Sequence, residues 1–101
     1  MDTLVQNIVQ RIAEAVQPRK IILFGSRARG DANPDSDVDL LIIYDGDLPE
    51  RELKLKVRRL FSRPEFSMDL FVLNPDEYER QKKVVSTVGR AASMEGVVYY
   101  G

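Results

Sequence analysis

Apolar residues near the start of the chain recur at helical spacing and predict a helix over residues 2–17. The residues on its predicted buried face are Val5, Ile8, Val9, Ile12 and Val16. Asp2 or Thr3 is suited to cap this helix, and Pro18 is suited to end it. Such a face is typical of a helix packed on a core, and we assign it no chemical role.

Continuous apolar runs at residues 21–24 and 40–43 predict strands, and the second run is typical of a strand buried on both faces. A turn at 44–47 leads into a predicted helix that begins near Asp47 and Glu50. Its apolar stripe is Leu53, Val57, Leu60 and Phe61. Basic residues lying largely off this stripe are interpreted as a solvated face, with a partner-binding surface as the alternative. They are Lys54, Lys56, Arg58 and Arg59.

A third strand is predicted over 66–73, and the sequence NPDE at 74–77 predicts the start of a final helix. That helix is expected to run to about Met94, with Gly96 as its stop and a short edge strand over 97–100. Its predicted inner face is Tyr78, Val85, Val88 and Ala92. This alternation of helices and strands predicts an α/β (α+β) domain with a mixed β-sheet flanked by helices.

Two carboxylates open the second predicted strand. Because side chains alternate along a strand, Asp37 and Asp39 share one face and lie roughly 6–7 Å apart along it. Carboxylates at this spacing can bind one cation from the same side. They also lie at the mouth of a buried strand, where solvent and ligand can reach them.

A candidate anion site precedes this acid pair. Gly25 follows the first predicted strand and permits a tight turn with a close backbone approach. Ser26 is suited to cap the next segment, whose free N–H groups would attract phosphate, and Arg27 and Arg29 add positive charge. A phosphate site and an acid pair joined by one loop indicate a site for a metal-bound nucleoside triphosphate.

Asp69 is unusual, because Asp is depleted in strands and a buried unpaired carboxylate is costly. One interpretation is a strand-edge carboxylate that points to water. The other is that Asp69 joins Asp37 and Asp39 across neighbouring strands. Asp31 and Asp35 are interpreted as loop-shaping residues, with Asp35 the next candidate should Asp69 lie outside the site.

Length and composition limit the number of domains, the possible metal ligands and the possible partners. The chain of 101 residues is expected to form a single domain, residues 1–101. It contains neither cysteine nor histidine, so a metal would need oxygen ligands, which points to a hard cation such as Mg²⁺. Its net charge of -1 argues against direct nucleic-acid binding. Without a signal peptide or a membrane-spanning apolar stretch, a cytoplasmic protein with no membrane contact is expected.

The stretch GSRARGDANPDSDVDLLI, residues 25–42, resembles the signature of the nucleotidyltransferase superfamily that includes DNA polymerase β. In that signature Gly-Ser is followed, after ten residues, by Asp-x-Asp. The closer resemblance is to the minimal nucleotidyltransferases of the MNT type, and it covers the whole stretch. It implies a polymerase-β-like nucleotidyltransferase fold and a substrate that is ATP or another nucleoside triphosphate.

The resemblance also implies roles for individual residues. Asp37 and Asp39 would bridge two Mg²⁺ ions. Asp69 would supply the third carboxylate, holding the metal at the nucleophile and accepting its proton. Gly25 and Ser26 would hold the β- and γ-phosphates. Arg27 or Arg29 would neutralise charge, although Arg29 is equally well interpreted as a surface arginine.

The acceptor of the nucleotide is not evident from the residues. Larger relatives carry a second domain that recognises it, and a chain of this length leaves no room for one. Minimal nucleotidyltransferases are associated with HEPN-domain partners, so the resemblance implies an antitoxin that transfers AMP to a partner hydroxyl. The alternatives are an aminoglycoside-type small-molecule nucleotidyltransferase and a catalytically silent module that neutralises its partner by contact.

Overall fold

The computed structural model describes residues 2–30, 37–61 and 66–101. Its elements, in chain order, are α1 (Thr3–Val16), β1 (Lys20–Phe24), α2 (Ser26–Arg29), β2 (Val38–Ile43), α3 (Glu50–Arg59), β3 (Met68–Leu73), α4 (Pro75–Gln81), α5 (Val88–Glu95) and β4 (Val97–Tyr100). Asp31 and Asp35, predicted to shape the loop before β2, lie outside the described residues. Within the described ranges, no helix is long and apolar enough to cross a membrane.

The four described strands form one mixed sheet in the order β3-β2-β1-β4. β2 pairs with β3 in parallel and with β1 antiparallel, and β4 pairs antiparallel with β1. Residues 40–43 of the inner strand β2 are all buried, as the apolar run predicted. The predicted fold class, a mixed sheet flanked by helices, is therefore confirmed, and β4 lies at an edge as expected.

Alternation along the strands separates the core into two layers. One layer lies under α1 and α3 and contains Ile21, Leu40 and Leu53. The other lies under α4 and α5 and contains Ile22, Leu41 and Tyr78. The inner strands β1 and β2 are buried over most of their length, so a ligand can reach these two strands at their ends.

Two predicted helix starts are corrected by the structure. Gly25, not Ser26, is the N-cap of α2, and Ser26 is its first helical residue. Pro49 is the N-cap of α3 and no side chain caps it, so Asp47 does not start that helix. Asp2 does cap α1, where its carboxylate accepts hydrogen bonds from the N–H groups of Leu4 and Val5.

The final helix predicted from residue 74 to about Met94 is also wrong, because the chain breaks it into α4 and α5. Between them Ser86 adopts a φ of 68°, in the left-handed region, which no α-helix accommodates. Thr87 then caps α5, since its hydroxyl oxygen accepts from the N–H of Arg90 at 3.1 Å. Val85, predicted to face inward, lies in this break and is 76% exposed.

Thr87 connects the two short helices, so its substitution tests the break. Its hydroxyl also donates to the carbonyl oxygens of Gln81 and Val84, at 3.0 and 2.8 Å. We expect Thr87→Ala to lower the free energy of unfolding by about 1 kcal/mol, the usual cost of losing an N-cap. Urea denaturation measures the change. Thr87→Ser keeps the hydroxyl and is the control; an equal loss in both variants would contradict the capping role.

Candidate active site

The parallel pairing of β2 and β3 places Asp39 directly beside Asp69. Both side chains lie on the sheet face that α4 and α5 cover farther along, because Asp39 alternates with Val38 and Leu40. Asp69 is exposed and Asp39 is half-buried. The structure therefore brings together two of the three predicted acids on neighbouring strands, at the open end of the sheet.

Asp37 lies just before β2 and is exposed. It is close enough to Asp39 for its charge to affect the ionisation of that carboxyl. Asp37 and Asp69 therefore both act on Asp39, and the influence of Asp69 is the larger of the two.

Crowding makes Asp39 hard to ionise. Partial burial, the charge of Asp69, a side-chain hydrogen bond with Asp69 and the charge of Asp37 raise the pKa of Asp39 to about 6. Burial is the largest of these causes, and the charge of Asp69 is the second. The positive charge of Arg29 acts in the opposite direction. A hydrogen bond between two carboxyl groups needs a shared proton, so the pair favours holding one proton between its two members.

Gly25 makes room for the Asp39 carboxylate. Its φ of 77° and ψ of -158° lie in a region that is essentially restricted to glycine. A Cβ atom at this position would overlap with Asp39 Oδ2 and come within 3.2 Å of Asp39 Cγ. Only glycine therefore lets the turn after β1 approach the acid pair this closely.

Arg27 and Arg29, both predicted to bind nucleotide, point to different surroundings. The Arg27 side chain is 9% exposed and its Nη1 donates to Asp2 Oδ2 at 2.8 Å, which connects α2 to the cap of α1. Arg29 Nη1 forms an ion pair with Glu95 Oε2 at 3.2 Å, and its charge reaches Asp39. The structure therefore associates Arg29 with the acid pair through its charge.

Glu95 is the site residue that sequence reasoning missed. Its Oε1 accepts a hydrogen bond from the Gly25 N–H at 3.3 Å and another from Arg29 Nη1 at 3.3 Å. The signal available in the sequence was weak: a carboxylate at the end of a helix, where the helix dipole disfavours negative charge. The predicted anion site thus carries a carboxylate from α5.

The donor set suits a hard cation. Asp39 and Asp69 offer oxygen ligands, and their mutual repulsion is what a divalent cation would relieve. In the part of the chain that the structure describes, no group of three or more Asp, Glu, His or Cys residues is positioned to hold a metal ion. A carboxylate pair that keeps several waters on the ion is the usual mode for Mg²⁺.

A model of the nucleotidyltransferase domain matches residues 5–97. The chain belongs to this family. The match spans both strands that carry the acid pair, the Gly25 turn and Glu95. The predicted enzyme class, a chain with a nucleotidyltransferase domain, is thereby confirmed.

Two proteins of Methanocaldococcus jannaschii, both provisionally named protein adenylyltransferases, are similar in sequence. One is 38% identical over 64 residues, a match that spans 63% of this chain and 63% of that protein. The other is 62% identical over 29 residues, or 29% of each. The matched region therefore covers less than two thirds of either relative.

Solved structures share the fold. A nucleotidyltransferase of Sulfolobus solfataricus, provisionally so named, is 26% identical with a TM-score of 0.58 and covers 94% of this chain and 75% of its own. A toxin–antitoxin crystallised with AMP-PNP is 20% identical with a TM-score of 0.64, covering 95% and 73%. A mutant of the toxin–antitoxin MntA–HpeT is 18% identical with a TM-score of 0.61, and the match covers 95% of this chain and 73% of that chain. Identities below a quarter support a common fold only.

The close approach of Gly25 to Asp39 predicts a large effect of a single methyl group. We expect Gly25→Ala to lower the free energy of unfolding by about 3 kcal/mol or more, because backbone strain adds to the overlap with the carboxylate. Gly30→Ala is the control: Gly30 also has a positive φ, 81°, but a Cβ there meets no atom of the described residues within 4 Å. It should cost only about 1–2 kcal/mol. Equal losses in urea denaturation would contradict the close approach.

The raised pKa of Asp39 predicts an unusual pH dependence. Asp39 binds a proton more tightly in the native protein than in the unfolded chain. Its contribution to the free energy of unfolding is therefore fully present below the ordinary pKa of 3.8 and is lost as pH rises through about 6. In chelator, Asp39→Asn should therefore raise the free energy of unfolding at neutral pH, and the gain should disappear as pH falls towards 3.8.

Urea denaturation of wild type and variant across this pH range measures the difference. Glu77→Gln is the control of opposite sign, because a hydrogen bond from Arg80 lowers the pKa of Glu77. Its contribution is present above the ordinary pKa of 4.5 and is lost as pH falls, so Glu77→Gln should reduce stability at neutral pH. Parallel pH profiles for Asp39→Asn and wild type would show that the acid pair is not crowded.

Proposed function

We propose that this domain transfers a nucleoside monophosphate, AMP from ATP in the simplest case, to a hydroxyl group on a partner protein. The observation that carries the proposal is the acid pair Asp39–Asp69, held in register on two strands and directly against the Gly25 turn. Family membership supports the reaction class, and the provisional names of the two sequence relatives favour a protein acceptor.

Of the three acids predicted from the sequence, Asp39 and Asp69 form the pair that would hold Mg²⁺, and a role for Asp37 stays a prediction from sequence. When bound, the cation supplies positive charge that offsets the charge of the triphosphate and of the acids. The raised pKa of Asp39 is consistent with this assignment, because burial and the charges of Asp69 and Asp37 all disfavour its ionised form, which a bound cation would favour.

The turn after β1 and the start of α2 would bind the phosphates of the nucleotide. The Gly25 N–H and the Arg29 guanidinium already bind a carboxylate, that of Glu95, so these donors suit an anion. Ser26, the first residue of α2, would add its hydroxyl and N–H. In this assignment Arg27 keeps α2 in place through Asp2, and its contact with nucleotide stays a prediction from sequence.

The chemical step is a displacement at the α-phosphorus. The acceptor oxygen forms the new P–O bond, and the bond to the bridging oxygen breaks, so that pyrophosphate leaves with the electron pair. Asp69, the exposed member of the pair, accepts the proton of the acceptor hydroxyl on a carboxylate oxygen. Asp39 lies beside Asp69, and the repulsion between the two carboxylates favours binding of this proton by the pair.

For the partner, we propose a HEPN-domain protein that this chain neutralises as an antitoxin in the cytoplasm. Two structures that share the fold are described as toxin–antitoxins, one of them with AMP-PNP, which makes a partner protein and ATP the first combination to test. Incubation of the co-purified complex with Mg²⁺-ATP, followed by intact-mass measurement of both chains, tests it. AMP on the partner supports the proposal.

Other outcomes would replace the proposal. A tight complex in which neither chain gains AMP would favour a silent module that acts by contact. AMP on an added aminoglycoside, with none on the partner, would favour a small-molecule nucleotidyltransferase. Asp39→Asn is the control for the two outcomes in which AMP is transferred, because it should abolish transfer while leaving the fold intact.

Asp69 allows a test that needs no acceptor. Asp69→Asn removes one of two adjacent like charges, so we expect the variant to melt at a higher temperature than wild type in chelator. It should also gain less from Mg²⁺-ATP, because ligand stabilisation follows affinity for the native state. Thermal melts of both proteins, with chelator and then with Mg²⁺-ATP, measure the two effects.

Asp45→Asn is the control, because Asp45 lies at the other end of β2 and pairs with Arg19 at 2.7 Å. It should gain from Mg²⁺-ATP as much as wild type does. If Asp69→Asn melts no higher than wild type in chelator and gains equally, Asp69 is outside the site.

A further inference from the structure

Glu95 contacts the donors that the proposed function assigns to the phosphates. The Gly25 N–H donates to its Oε1 at 3.3 Å, and Arg29 Nη1 lies 3.3 Å from Oε1 and 3.2 Å from Oε2. The Glu95 side chain is 30% exposed, so it is directed along the protein surface towards α2 and not into solvent. One carboxylate thus bridges the turn after β1 and the end of α2.

The negative charge of Glu95 does not stabilise the helix that carries it. Glu95 is the last residue of α5, where a negative charge faces the negative end of the helix dipole. The next residue, Gly96, fits closely: a Cβ there would come within 2.5 Å of Ile22 Cγ2 on β1. This packing fixes the end of α5 against the sheet and holds Glu95 beside Gly25.

A backbone N–H has one proton to donate, so the Gly25 amide cannot fully serve Glu95 and a phosphate oxygen at once. Arg29 has five N–H donors and can turn to a second anion, but Glu95 would then face the phosphates as a like charge. Nucleotide binding at these donors therefore requires the Glu95 carboxylate to leave.

We propose that Glu95 is an internal anion that competes with the nucleotide's β- and γ-phosphates for Gly25 and Arg29 and so sets the affinity for nucleoside triphosphates. The proposal rests on the proposed function, because it takes these donors as the phosphate site. A ligand with β- and γ-phosphates must displace Glu95, whereas a nucleoside monophosphate leaves these donors to it.

Glu95→Gln tests the competition, because the amide keeps the shape and removes the charge. With Mg²⁺ present, we expect the variant to bind a non-hydrolysable ATP analogue about three- to tenfold more tightly than wild type, the size of one screened charge interaction. AMP should bind both proteins equally. Isothermal titration calorimetry gives the affinities, and the analogue-induced rise in melting temperature gives an independent readout.

Glu79→Gln is the matched control. It makes the same change in charge, but Glu79 in α4 pairs with Lys82, just after that helix, and lines the far end of the sheet near Lys20. Its affinity for the analogue should equal that of wild type, which separates a local effect of Glu95 from a change in net charge.

The outcomes distinguish the possibilities. Tighter binding of the analogue by Glu95→Gln alone supports the competition. Weaker binding would overturn it and would make Glu95 a positioning residue that prepares Arg29 for phosphate. Equal binding by wild type and variant would overturn it and leave the proposed function intact. If neither protein binds the analogue or AMP, both the competition and the proposed function fail.

Discussion

Two carboxylates at directly opposed positions of neighbouring strands are the constraint on which the site depends. Like charges opposed in this way destabilise a sheet, and partial burial of Asp39 increases the cost. The surrounding chain accommodates the pair instead of avoiding it. Gly25 leaves space where any side chain would overlap with Asp39, and Arg29 supplies a compensating charge. A protein that folded only for stability would have a neutral residue here, so the arrangement is typical of a site kept for function.

The fold provides both the stability and the opening that such a site needs. β2 lies inside the sheet between two apolar layers, and Val38, Leu40 and Leu41 have no exposed surface. Burial on both faces fixes the register of β2 against β3, because a slip by one residue would turn every side chain to the other face. The acids lie where this cover ends, so the register that the core enforces is also the register that places Asp39 beside Asp69.

Much of this could be predicted from the sequence, since apolar runs mark strands and the spacing of α1 marks a helix. The pairing of Asp39 with Asp69 was one of two open interpretations, because sequence does not give the register of a parallel pair. The break at Ser86 was missed although the sequence carries a signal for it: residues 84–89 are all poor helix formers, and Thr87 among them is suited to cap a new helix. The different positions of the two arginines could have been predicted from helix geometry. Residues two apart on an α-helix point roughly 200° apart, so Arg27 and Arg29 are not expected to face the site together.

Glu95 shows what remains beyond pattern reasoning, because its role follows from tertiary packing that brings the end of α5 to the turn after β1. Its presence also changes the electrostatic argument. With Asp37, Asp39 and Asp69, it makes the described surroundings of Gly25 rich in negative charge, and Arg29 is the cation that acts on Asp39. The net charge of -1 for the whole chain conceals this local excess. A nucleoside triphosphate would bring several more negative charges to the same place. Such a ligand can bind only with cations that offset this charge, so under the proposed function nucleotide and metal affinity are linked: each must strengthen the binding of the other by the same factor.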